Sequence, residues 1–130
     1  MTVERLWIAI AAVLGGTAVA AGAFATHALK PQLSDRLLAV FETAARYQMY
    51  HALALLLLAL VRHQGLAAPG WLAASGWALI AGTVVFSGSL YALALTGRTM
   101  LGAVAPIGGA ALMVGWACLA IAGLRGAGES

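Results

Sequence analysis

Charge is what this sequence lacks most. Of 130 residues only 8% are Asp, Glu, Lys or Arg, seven basic and four acidic, against about 25% in an ordinary soluble domain. So few charges cannot cover a water-facing surface, and a soluble globule is excluded. The net charge of +3 is scattered singly over segment ends. Without a basic patch, nucleic-acid binding is excluded too. Cysteine is almost absent: Cys118 stands alone in an apolar run. It forms no intrachain disulfide, says nothing of a redox compartment, and reads as a small buried hydrophobe. Catalytic signatures are also missing. There is no Gly-x-Ser-x-Gly elbow, no phosphate loop and no His-Glu-x-x-His pair. Glu42 and His51 lie about 13 Å apart along one helix, too far to share a metal's coordination shell. The reading is therefore a non-enzyme with no catalytic residue, no metal and no cofactor.

What the chain does have is hydrocarbon. Apolar residues make up 63% of it, with a mean hydropathy of +0.97. Leu6 to Thr26 carries no charge, and a bilayer crossing needs about 20 such residues. A signal peptide is the rival reading, with Ala18-Val19-Ala20 as the cleavage site. A signal core spans only about 7–15 residues, whereas the apolar character here continues to Leu29, so a retained first helix is expected. Lys30-Pro31 ends it, because proline disfavours a helical residue before it. Ser34 is then a good N-cap, with Asp35 in the first turn where its charge suits the helix dipole. Arg62 to Gly65 closes the second span and Pro69-Gly70 turns into the third. Thr96-Gly97-Arg98 joins the third to the fourth so tightly that the two must be antiparallel neighbours.

The expected architecture is all-α. A single domain, 1–130, forms a four-helix membrane bundle over about 6–29, 34–61, 71–95 and 99–124, with both termini on one face. Arg5, Arg62 and Arg125 mark that face; Lys30, Arg36, Arg98 and, by depth, Arg46 mark the other. The positive-inside rule finds almost no bias, and the termini are assigned to the cytoplasm. Small residues at i,i+4 spacing, Ala11/Gly15, Ala18/Gly22, Ala78/Gly82, Ala105/Gly109 and Ala111/Gly115, allow close helix packing without saying which helices touch. Pro106 is expected to kink the fourth helix and free a carbonyl.

The reactive side chains concentrate in the second span. At 100° per residue, Glu42, Thr43, Arg46, Tyr47, Tyr50 and His51 fan over one half of that helix, opposite Phe41, Ala45, Met49 and Ala52. Counted from Val61, Glu42 lies about 28 Å away near the far boundary and His51 about 15 Å away at mid-depth. By the same rise His27, Ser87, Ser89 and Tyr91 reach the half that holds Glu42, so polar groups collect in one half of the membrane. Each has a plain reading. Glu42 and Arg46 are either a solvated i,i+4 pair or a buried pair lining a cavity. Tyr47 and Tyr50 suit an aromatic belt. His51 is expected to bond Tyr47 or a third-helix serine rather than carry protons. Ser87 and Ser89 are expected to bond the preceding turn. Because a lipid-facing arc of polar groups is costly, Glu42 and Arg46 are expected to contact other helices, with Tyr91, a serine or a carbonyl near Pro106 accepting from Arg46.

Four segments resemble the family called domain of unknown function 423, related to eukaryotic transmembrane protein 256. They are GAFATHAL from Gly22, FETAARYQMYHALALL from Phe41, FSGSLYALALTG from Phe86 and LGAVAPIGGAALMVGW from Leu101. The first motif commonly reads Gly-Ala-Phe-Gly-Ala-His, where this chain has Ala25 and Thr26. The resemblance implies a four-helix protein of the bacterial inner membrane and no particular activity. Its motif residues here are His27, Glu42, Arg46, Tyr47, Gln48, His51, Ser87, Gly88, Ser89, Tyr91, Pro106, Gly108 and Gly109. Beyond the bilayer itself, the expected partner is a membrane protein, a second copy or a lipid, held by this polar half. The rival is a small transporter or channel in which His51 relays protons.

Overall fold

A computed structural model of the chain describes residues 1–129, and among them only helices form regular structure. They are α1 (Val3–Phe24), α2 (Asp35–Gln64), α3 (Pro69–Thr96) and α4 (Leu101–Arg125), all long and apolar enough to cross a membrane. The ends follow local chemistry. Thr2 caps α1 by accepting from Arg5 N, and Ser34 caps α2 by accepting from Leu37 N at 3.2 Å. Gly65 and Gly97 end α2 and α3 at φ of 65° and 71°, the left-handed region that glycine enters without a Cβ penalty. Three starts differ from the sequence reading: α1 begins at Val3 rather than Leu6, just after its Thr2 cap. Helix α3 begins at Pro69 rather than Trp71, because a proline's missing N–H costs nothing at a first helical position. Helix α4 begins at Leu101 rather than Thr99, since successive three-residue turns from Arg98, Thr99 and Met100 lead into it.

One element has no counterpart in the sequence reading. After Phe24 the first helix widens into a π-helical turn, Ala25–Leu29, closed by Lys30 N donating to Ala25 O at 3.0 Å. Such a turn inserts one residue into the ladder and rotates the side chains beyond it.

The four helices pack in chain order: α1 on α2, α2 on α3, and most extensively α3 on α4. The termini share a face. There Glu4 Oε1 meets Arg62 Nε at 3.1 Å, and Ala68 N donates to Ala122 O at 2.9 Å. On the same face Arg125 lies 5.9 Å from the Trp71 ring.

Glycine decides how α3 and α4 meet. The Leu79 side chain fills the space where a Cβ on Gly115 would sit, 2.6 Å away, and Leu112 does the same at Gly82 at 2.8 Å. Further along the interface, Gly108 lies directly on the Phe86 backbone. The expected rows Ala78/Gly82 and Ala111/Gly115 thus belong to one interface, and Gly108 rather than Gly109 continues it. Between α1 and α2, Ala11 and Ala18 are buried and Gly15 faces Ala52, while the space beside Gly22 is open.

The apolar core has two parts. Around the terminal face Trp7, Leu55, Leu58, Leu72, Leu79 and Leu112 cluster, and near the opposite end Ala25, Leu29, Phe41 and Ala94 do. Trp7 is wholly buried, pressed on Gly76 and edge-on to Trp77 at 6.1 Å. Between the two clusters along α2 and α3 lie Gln48, His51 and Ser87.

Candidate functional site

The central polar layer is built on Gln48. Its position among Phe41, Ala44, Ala45, Ala52 and Leu55 places it on the buried stripe of α2. Its amide Nε2 donates to Leu14 O at 2.8 Å and to Thr17 Oγ1 at 2.6 Å, both on α1. Its Oε1 accepts from Tyr91 Oη on α3 at 2.7 Å. Thr17 passes its own proton to Val13 O at 2.7 Å, so each hydrogen-bonding group in this relay is matched. Gln48 thereby bolts three helices together. In a medium without water such bonds replace the unpaired alternative, which would cost about 1–3 kcal/mol for each buried group.

His51 sits one turn deeper on the same helix and is also buried. Trp116 Nε1 of α4 donates to His51 Nε2 at 3.1 Å, and His51 Nδ1 lies 2.7 Å from Tyr47 O. An indole N–H only donates. Nε2 is therefore the acceptor, and the ring proton sits on Nδ1, where it bonds the carbonyl. The expected link to Tyr47 exists, through its backbone; the third-helix serine is not the partner.

The serines act differently from one another. Ser89 donates to Phe86 O on its own helix at 2.9 Å, as expected. Ser87 does not bond its preceding turn: it donates across to Ala44 O of α2 at 2.8 Å. The close approach of α2 to α3 brings that carbonyl within reach of so short a side chain. Ser75, which sequence reasoning passed over, donates to Gly115 O of α4 at 2.7 Å and is wholly buried. It lies near the start of α3, so the buried polar groups are not confined to the half of the membrane that holds Glu42.

The remaining candidates face outward. Glu42 and Arg46 are exposed, and among the described residues neither forms a side-chain hydrogen bond or an ion pair. The expected contacts with other helices are absent because the buried stripe of α2 runs through Ala44, Gln48 and His51, turning the charged positions away. His27, on the π-helical turn, is likewise exposed, and its ring has no hydrogen-bond partner among the described residues. Tyr47 and Tyr50 stack edge-on at 5.4 Å on the outer side of α2, with Tyr47 also against Phe86 at 5.1 Å. Pro106 is exposed, and α4 continues through it as one helix. No group of three or more His, Cys, Asp or Glu able to hold a metal occurs among the described residues.

Sequence reasoning missed Thr17, Ser75 and Trp116. The usable signal was their chemistry: each is a hydrogen-bonding side chain inside an apolar run, and each therefore needs a partner on another helix or in its own preceding turn.

The comparisons with known proteins agree with this architecture. The family described as protein of unknown function (DUF423) matches residues 21–109. A UPF0382 membrane protein of Staphylococcus epidermidis is 44% identical over 127 residues, covering 95% of this chain and 99% of that protein. The UPF0382 membrane protein YwdK of Bacillus subtilis is 37% identical over 126 residues, covering 93% of this chain and 98% of that protein. No solved structure matches. Four spans able to cross a bilayer, near-full-length relatives that are membrane proteins and the matched residues lead to one statement: this chain is a multi-pass bacterial membrane protein of the DUF423 family.

Proposed function

We propose that this protein is a non-catalytic membrane module that associates through the outward face of α2, and that the partner is a second copy of the chain. One contrast carries the reading. The buried polar side chains Gln48, His51, Ser75, Thr83, Ser87 and Ser89 all have hydrogen-bond partners inside the protein. Glu42 and Arg46 have none among the described residues and lie exposed beside Tyr47 and Tyr50. Charges turned toward lipid are costly, and a partner helix with the opposite pattern relieves that cost. A copy related by a two-fold axis along the membrane normal offers Arg46 to Glu42 and Glu42 to Arg46. The offset is one helical turn, about 6 Å, which two long side chains span.

The transport reading needs a free nitrogen on His51. Both ring nitrogens are engaged, by Tyr47 O and Trp116 Nε1, which supports a packing role for this residue.

The test is disulfide trapping of Tyr50→Cys in native membranes, on a Cys118→Ser background. Glu42→Arg should reduce the trapped dimer, and the swap Glu42→Arg with Arg46→Glu should restore it. Trapping that ignores the first change, or that the swap fails to restore, overturns the reading.

A further inference from the structure

On the terminal face, well away from Glu42, an open groove of about 860 Å³ runs between the start of α1 and the end of α2. Its floor is Ile8, Leu56, Leu57 and Leu60, each between 44% and 61% exposed. Its rim carries Arg5, Arg62, His63 and Glu4. From Leu56 to His63 the helix rises about 10 Å, so the groove leads from the rim into the hydrocarbon region.

The rim charges are unevenly used. Arg62 is committed on three sides: to Glu4 Oε1 at 3.1 Å, to Pro69 O at 3.3 Å and to the Trp7 ring face at 5.9 Å. That ion pair neutralises the acidic group of Glu4 on the rim. Arg5 and His63 are exposed, and among the described residues their side chains have no hydrogen-bond or ion-pair partner. A guanidinium fork and an imidazole therefore stand on one rim above an apolar trough, with nothing inside the protein to bond.

We infer that this groove binds one anionic glycerophospholipid, its phosphodiester held by Arg5 and His63 and one acyl chain laid over Ile8, Leu56, Leu57 and Leu60. Arginine matches phosphate oxygens in two-pronged fashion. A headgroup without a cation suits this rim, because the one carboxylate that lines it among the described residues, that of Glu4, is already paired with Arg62. A choline headgroup would set its ammonium against Arg5 and find no free carboxylate.

Native mass spectrometry of the detergent-solubilised protein, titrated with phosphatidylglycerol or phosphatidylcholine of identical chains, tests the site. Phosphatidylglycerol should be retained more strongly. Arg5→Gln should weaken it about fivefold, the factor expected for one cationic contact at a membrane surface. Arg5→Gln with His63→Gln should abolish the preference. Because neither side chain has an internal partner, these variants should keep wild-type helix content, which circular dichroism verifies. Equal retention of the two lipids by the wild type, or an undiminished preference in the double variant, overturns the inference. A double variant that loses its dimer while keeping the lipid preference overturns it too, by assigning the groove to a second copy. The Glu42 face is untouched throughout, so the outcome is independent of the association test above.

Discussion

Trp116 and His51 are joined by a 3.1 Å hydrogen bond between helices that do not pack side by side. Helix α4 rests on α3, and its indole reaches over α3 to a histidine of α2. The bond ties α2 to α4 across α3, as the packing of Trp7 on Gly76 ties α1 to α3, and it selects the ring tautomer of His51. Trp116→Phe keeps most of the ring and removes the donor, leaving Nε2 unpaired in a buried position. It should destabilise the protein by about 1–3 kcal/mol, read as a lower midpoint in detergent unfolding.

The Gln48 junction should show strong coupling. Tyr91→Phe removes one bond and should cost about 0.5–1.5 kcal/mol, while Gln48→Leu strands partners on both α1 and α3 and should cost more. A double-mutant cycle between the two positions should give an interaction energy of about 0.5–3 kcal/mol. Additive effects would mean that the two groups are not bonded in the folded protein.

Glycine substitutions should separate by what the new methyl meets. Gly108→Ala drives a Cβ into the Phe86 main chain, which cannot turn aside, and should cost about 1–3 kcal/mol or abolish folding. Gly115→Ala meets chiefly the Leu79 side chain, which has rotamers to yield, and should be milder. Gly88→Ala meets nothing within 4 Å and should be neutral or slightly stabilising, since helical glycine is poorer than alanine. Thermal melts of the three variants give the order directly.

The charged pair on α2 should matter to association and not to the fold of one chain. Glu42→Gln and Arg46→Lys should each change the stability of the solubilised monomer by less than about 0.5 kcal/mol, as for other exposed positions. A loss of several kcal/mol in detergent unfolding would place the pair in an interior contact.

Much of the architecture was legible because bilayer physics acts on sequence locally. A span needs about 20 apolar residues wherever it packs, so four crossings and a shared face for the termini come from counting alone. Ser34, Gly65 and Gly97 mark helix ends by backbone chemistry that involves only a few neighbours.

What the sequence could not decide was rotation. A residue on a membrane helix faces lipid or protein according to which neighbouring helices approach it, and composition is apolar on every side. By spacing alone Glu42, Arg46 and His51 shared an arc. Tertiary packing divided them, burying His51 against Trp116 and leaving the charges outside. Gln48 stood out only as a motif residue, yet the closeness of α1 and α3 makes it the junction of three helices. The division was set by where small residues let backbones come near: Gly82, Gly108 and Gly115 fix α4 on α3, and Ala11, Gly15 and Ala18 admit α2 to α1. A small residue records that close approach is allowed. Only the fold determines which helix makes it.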